Sequence, residues 1–185
     1  MQPIIPKIDR QWTLFLDRDG VINKRLVADY VKTPQEFEFM PDAPQTIGLL
    51  RLLFGRVVIV TNQQGIGKKL MTEAALDQVH QKMLLGLQAH CPPQYLPVID
   101  RIYFCPALSS ELNPCRKPQI GMALQAKADF PEIDFTKSVM IGDSLSDIEF
   151  GKNAQMLTLM FGGQYTETAD FHANNWQEVR ALFNV

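Results

Sequence analysis

The feature that most constrains this chain is a repeated alternation. Short runs of β-branched and large apolar residues are each followed by a stretch with helical periodicity. Trp12–Leu16, Val57–Thr61, Arg101–Phe104, Ser138–Ile141 and Met156–Phe161 read as strands. Between and after them, Pro41–Phe54, Thr72–His90, Gly121–Phe130, Ser146–Ala154 and Trp176–Phe183 read as helices. The clearest helix is the second, where Leu76, Val79, His80, Met83, Leu84 and Leu87 share one face and Thr72 stands at the N-cap position. For the fourth, Ser146-Asp147-Ile148-Glu149 reads as a capping box. Strands that alternate with helices predict an α/β fold: a Rossmann-like three-layer sandwich around a mainly parallel sheet.

The same pattern limits function. A membrane-crossing helix needs about 20 apolar residues, and the longest aliphatic run is Val57-Val58-Ile59-Val60. Residues Met1–Pro6 lack a basic segment followed by an apolar one, so no secretory signal is expected. A net charge of −2 supplies no basic excess for a nucleic-acid backbone. No nucleic-acid or membrane partner is therefore expected. Cys91, Cys105 and Cys115 are an odd number at irregular spacing, which argues against a disulfide framework and for a reducing, cytoplasmic setting. The segment after the first strand is too short for a large inserted cap, so residues 1–185 read as one domain, monomeric or weakly self-associating.

Polar residues gather where the strands end. Asp17 and Asp19 close the first strand, Thr61 and Asn62 the second, and Asp143 the fourth; a loop with Arg116 and Lys117 follows the third. Ligands of parallel α/β sheets bind beyond these carboxyl ends. In extended chain, residues i and i+2 face the same way, so Asp17 and Asp19 can serve one site. Their oxygens are hard ligands, suited to Mg²⁺ rather than zinc. Asp147 is open to two readings, metal support or helix capping. Lys68 and Lys69 read either as contacts to a second anionic group or as a solvated pair. The segment around them is no nucleotide-binding phosphate loop, because Asn62 and Lys69 break its template. His80, on an apolar helix face, reads as a core or boundary histidine.

Four motifs occur in order: Asp17-Arg18-Asp19-Gly20, Val60-Thr61-Asn62, Arg116-Lys117-Pro118 and Gly142-Asp143-Ser144-Leu145-Ser146-Asp147. With them the chain resembles the haloacid dehalogenase (HAD) superfamily of phosphatases. The longer strings Phe15–Asn23 and Thr61–Gly67 resemble the branch that holds heptose-1,7-bisphosphate 7-phosphatases and histidinol-phosphate phosphatases. The resemblance implies a Mg²⁺-dependent phosphomonoester hydrolase. Asp17 would be the nucleophile, forming an aspartyl-phosphate, and Asp19 the acid and base. Asp17, the Asp19 carbonyl and Asp143 would hold the metal. Thr61, Asn62 and Lys117 would hold the phosphoryl oxygens.

Asn23, Tyr30, Lys68 and Arg116 are the expected substrate contacts, and a small sugar phosphate such as a heptose bisphosphate is the expected substrate. Histidinol phosphate, or a broad range of small phosphate esters, is the alternative. A non-catalytic phosphosugar-binding protein is a further reading, opposed by the retention of both Asp17 and Asp19. The heptose branch often carries a structural zinc in the loop after the third strand. Here Ala107 and Asn113 stand where two of its ligands would be, so no structural zinc is expected.

Overall fold

Every strand of the sheet runs in the same direction. The computed structural model describes residues 5–162 and 167–185, so the reading of the first four residues lies outside it. In chain order the elements are β1 (Thr13–Leu16), α1 (Ala43–Leu53), β2 (Arg56–Asn62), α2 (Gln64–Gly67), α3 (Glu73–Gln88), β3 (Arg101–Cys105), α4 (Gly121–Asp129), β4 (Ser138–Gly142), α5 (Leu145–Asn153), β5 (Leu157–Phe161), β6 (Phe171–Ala173) and α6 (Trp176–Phe183). The strand order is β3-β2-β1-β4-β5-β6, with parallel pairing throughout. This is the doubly wound order, in which the connections reverse direction between β1 and β4.

Strand alternation sorts the core into two layers. Leu14 and Leu16 of β1 pack with Ile47 and Leu50 of α1, Val79 and Met83 of α3, and Val179 of α6. Phe15, between them, faces the other way, into Met122 and Ala126 of α4 and Phe150 of α5. Each strand is thus covered on both faces, which is why the strands read as continuous apolar runs. The long connection from β1 to α1 holds only a short turn of helix at Pro34–Glu36 and isolated bridges, and no cap domain. Among the described residues no helix is long and apolar enough to cross a membrane.

The helices match the sequence reading closely. Thr72 caps α3 by accepting from the Ala75 amide at 3.1 Å. Three features differ. The cap of α5 is centred on Ser144 rather than Ser146: the Ser144 amide and hydroxyl donate to the Asp147 carboxylate at 3.0 and 2.6 Å. Both serines precede an acid by three residues, and only the strand end before them decides which one caps. The three-residue β6, with His172 at its centre, is too short for a periodic signal and forms by pairing with β5.

The third difference is a disulfide between Cys105 and Cys115, whose Cα atoms lie 5.5 Å apart, with Cys91 left free. Cysteine count and spacing carry no information on this proximity. Nearby, the Asn62 side chain ties the Lys117 backbone, two residues beyond Cys115, to the end of β2. One bond among three cysteines is not a framework, so the expectation is corrected for this pair alone.

Candidate active site

The β1/β4 boundary opens the sheet at its carboxyl edge, and Asp17 emerges there. Its amide still donates to the Ile141 carbonyl at 2.9 Å, so β1 and β4 together aim its side chain. Lys117, buried, reaches in from the loop after β3. Its ammonium lies 2.6 Å from Asp17 Oδ1 and 2.6 Å from Asp147 Oδ1, and donates to the Val60 carbonyl at 2.8 Å. Asp143 follows β4, and ligand oxygens of Asp17, Asp143 and Asp147 all lie within 4.8 Å of one another. Two glycines make this convergence possible. A Cβ on Gly20, which has φ +93°, would fall 1.9 Å from Asp143 Oδ2; one on Gly142 would fall 2.1 Å from the Asp147 Cβ.

Asp19 lines the same cavity as Asp17 but has a different electrostatic environment. The fully buried Arg18 donates to Asp19 Oδ1 from Nε at 3.2 Å and from Nη2 at 2.8 Å, and Nη2 also lies 2.7 Å from Oδ2. Gln63 Nε2 donates to Oδ2 at 2.8 Å and Asn23 Nδ2 to Oδ1 at 2.9 Å. The expectation for Asn23 is therefore corrected. Its side chain is buried outside the cavity lining, and its amide is spent on Asp19 and on the Lys24 carbonyl.

Of the two readings open for Asp147, its carboxylate does stand beside Asp17 and Asp143. The Asp19 carboxylate is held by Arg18. The Asp19 carbonyl still faces the cluster: Arg25 Nη2 spans it, at 3.3 Å, and Asp143 Oδ1, at 2.9 Å. One nitrogen reaching both oxygens shows that they converge on a common point.

Thr61 and Asn62 occupy the end of β2 as expected, with different duties. Thr61 Oγ1 accepts from Gln63 Nε2 at 2.9 Å, which leaves its own proton free to donate into the cavity. The Asn62 amide instead accepts from the Lys117 amide at 3.0 Å and donates to the Lys117 carbonyl at 3.2 Å. Its side chain fixes the Lys117 backbone and also lines the cavity. Tyr30, Lys68 and Arg116 line the cavity of ≈ 590 Å³. The Lys68 ammonium lies 5.4 Å from the centre of the Tyr30 ring, and Arg116 Nη1 donates to the Ala107 carbonyl at 3.0 Å. Arg25, Arg18 and Gln63 were missed by sequence reasoning. Each partners a group far along the chain, and no local pattern marks that.

Charge accounting explains the titration of the cluster. Burial pushes the Asp17 carboxyl up to about 7, ahead of the opposing pull of Lys117, and Asp147, Asp143 and Asp19 add to the rise. Burial likewise lifts Asp143 to about 6, against Arg25. For Asp19, burial is outweighed by Arg18 and the hydrogen bonds from Asn23 and Gln63, so its carboxyl is held below the usual range. Burial also opposes the charge on Lys117, but Asp147 and Asp17 outweigh it and hold its pKa up. Three carboxylates here face two cations, Lys117 and the half-exposed Arg25. Hard oxygens in close array with surplus negative charge suit Mg²⁺.

Comparisons agree with this geometry. A HAD-hydrolase-like family model matches residues 114–180. The chain is 38% identical over 175 residues to the D-glycero-alpha-D-manno-heptose-1,7-bisphosphate 7-phosphatase of Campylobacter jejuni, covering 92% of this chain and 94% of that one. It is 37% identical over 150 residues to the protein of the same name from Mycobacterium tuberculosis, covering 81% and 76%. Among solved structures, it resembles the D,D-heptose 1,7-bisphosphate phosphatase from B. bronchiseptica complexed with magnesium and phosphate. There the TM-score is 0.79, the identity 27%, and the coverage 92% of this chain and 96% of that one.

Proposed function

The chain belongs to the HAD-like hydrolase family, among its phosphatases, and on that premise we propose that it is a Mg²⁺-dependent phosphomonoester hydrolase working through an aspartyl-phosphate on Asp17. The observation that carries this reading is the meeting of Asp17, Asp143 and Asp147 around Lys117 at the β1/β4 boundary. Asp17, Asp143, Asp147 and the Asp19 carbonyl would hold the ion. Bound there, Mg²⁺ would neutralise charge on the attacking carboxylate and on the phosphoryl oxygens.

The chain's own groups account for the remaining steps. Lys117 holds Asp17 Oδ1 and leaves the other carboxylate oxygen to attack phosphorus. The Thr61 hydroxyl donates to the phosphoryl oxygens, and the Lys117 ammonium, its three donors already engaged, attracts them by its charge. Outweighing burial, Arg18 keeps Asp19 ionised before substrate binds, and the negative charge of an arriving phosphate ester favours its protonated form. Asp19 then protonates the departing alkoxide and later takes a proton from the water that cleaves the Asp17 ester, releasing inorganic phosphate. Asn62 contributes by keeping Lys117 in place.

The substrate reading is a sugar bisphosphate of the heptose 1,7-bisphosphate type, cleaved at the 7-phosphate. The names of the relatives support it, and so do the cations Lys68 and Arg116 on the cavity wall, which suit a second phosphate and disfavour a cationic substrate such as histidinol phosphate. The Cys105–Cys115 bond occupies both sulfurs near the loop, so no structural zinc is part of the reading. The test is phosphate release from sugar bisphosphates, sugar monophosphates, nucleotides and histidinol phosphate, ranked by kcat/KM with and without EDTA. A bisphosphate should lead, and chelation should silence the reaction until Mg²⁺ is restored. Full turnover in EDTA would remove the metal from the reading, and a leading histidinol phosphate would overturn the substrate.

A further inference from the structure

Behind Asp19 lies a buried unit that the proposed chemistry has not used. Arg18 is fully buried, and its guanidinium has three side-chain partners, Asp19, His80 and Gln63. Toward the cavity it grips both oxygens of Asp19. Away from it, Nη1 lies 3.3 Å from His80 Nε2 on α3, and Nη2 donates to Gln63 Oε1 at 3.3 Å. A guanidinium only donates, so His80 Nε2 is the acceptor and the ring proton sits on Nδ1. Gln63 closes the loop, since its amide also donates to Asp19 Oδ2 and to Thr61. Burying an arginine among polar partners is a weak source of stability compared with packing apolar groups there. What the arrangement does supply is direction: every partner fixes the plane of the guanidinium, and the guanidinium fixes the plane of the Asp19 carboxylate.

We propose that His80, Arg18 and Gln63 form a positioning unit that aims the Asp19 carboxylate at the leaving-group oxygen of an alkyl phosphate. His80 is the remote member, acting only through Arg18. The inference rests on the reading of Asp19 as proton donor. A proton-transfer group works within about 2.6–3.2 Å of its target, and a misplacement of about 1 Å can cost roughly 10²-fold. An aspartate with a free rotamer would meet that requirement only part of the time.

The leaving group provides the test. A sugar or glycerol alkoxide needs a proton as it departs, whereas p-nitrophenolate is a stable anion at neutral pH and needs none. The measured quantity is kcat/KM, which ends at leaving-group departure and excludes the later hydrolysis of the Asp17 ester. His80→Leu should lower kcat/KM for alkyl phosphates by about tenfold or more, and for p-nitrophenyl phosphate by less than about threefold. His80→Gln, whose carbonyl oxygen can accept from Arg18, should recover most of the alkyl rate. If His80→Leu does not fold, His80→Met, close in volume to the imidazole, takes its place and should show the same selectivity. Equal losses on both substrate classes, or no loss on either, would overturn the proposal. A wild-type protein that hydrolyses neither class would instead remove the phosphatase mechanism beneath it.

Discussion

Two buried charge clusters sit at opposite ends of the sheet, and they are built on different terms. At the amino edge, Asp100 precedes β3 and is enclosed by cations: Arg51 at 2.7 Å, Arg56 at 3.0 Å, and the Val57 amide at 2.7 Å. Arg51 spends its remaining donors on the Tyr95 and Gly55 carbonyls. At the carboxyl edge, three carboxylates share Lys117 and the half-exposed Arg25. With Glu132, which pairs with Arg56 at 2.7 Å, the first cluster sets two carboxylates against two cations; the second leaves negative charge over. A closed cluster joins pieces of the fold, here the α1–β2 turn to the start of β3. An open one is stable only in a fold strong enough to bear it, and it is ready for a cation and a phosphate.

Four substitutions or titrations press on this contrast. Asp17→Asn should cut phosphate release on the order of 10⁴-fold or more, with no loss in thermal unfolding midpoint, because it removes charge from the crowded cluster. Retained turnover would mean that the open cluster is not the nucleophile's site. Asp100→Ala should do the reverse, costing about 3 kcal/mol in denaturant unfolding by leaving Arg51 buried and unpaired. Its kcat/KM per folded molecule should stay within about twofold, since no Asp100 contact reaches the cavity; a large catalytic loss would break the division of labour.

The third concerns His80, whose pKa burial and the Arg18 charge hold down at about 3, against 6.5 in an open chain. The unfolded chain takes up the proton first as pH falls, so this residue leaves stability untouched above pH 6.5 and lowers it progressively toward pH 3. The slope should approach about 1.4 kcal/mol per pH unit, and it should be missing from His80→Gln in parallel denaturation curves. The smallest effect is expected for Arg25→Gln. Arg25 holds the same Asp143 and Asp19 oxygens that a metal would use, so its removal should tighten Mg²⁺ binding by up to about fivefold in calorimetry. Weaker binding would assign Arg25 a supporting role toward the ion instead.

The polar residues at strand ends were legible because a parallel sheet delivers them to one edge whatever the side chains do next. Asp17, Thr61, Lys117 and Asp143 all converge there. Asn23 reached the right region but is buried outside the cavity lining, because an amide satisfies whichever backbone or carboxylate lies nearest, and that neighbour is set by tertiary contact. For Asp147 the choice between helix cap and cluster member proved false, since one oxygen serves Ser144 and the other Lys117.

Local pattern alone determined the alternation of strands and helices, the doubly wound class and the edge on which chemistry would gather. Backbone sterics and hydrophobic periodicity act over a few residues, so they can be read in the order of the chain. Tertiary structure decided which carboxylates face one another, that Arg18 turns Asp19 aside from the cluster, that His80 stands behind Arg18, and that Cys105 meets Cys115. Those outcomes depend on side chains far apart in the chain, 100 positions in the Asp17–Lys117 pair and 118 in the Arg25–Asp143 pair. Burial strengthens such pairings, and their geometry exists only once the sheet has closed.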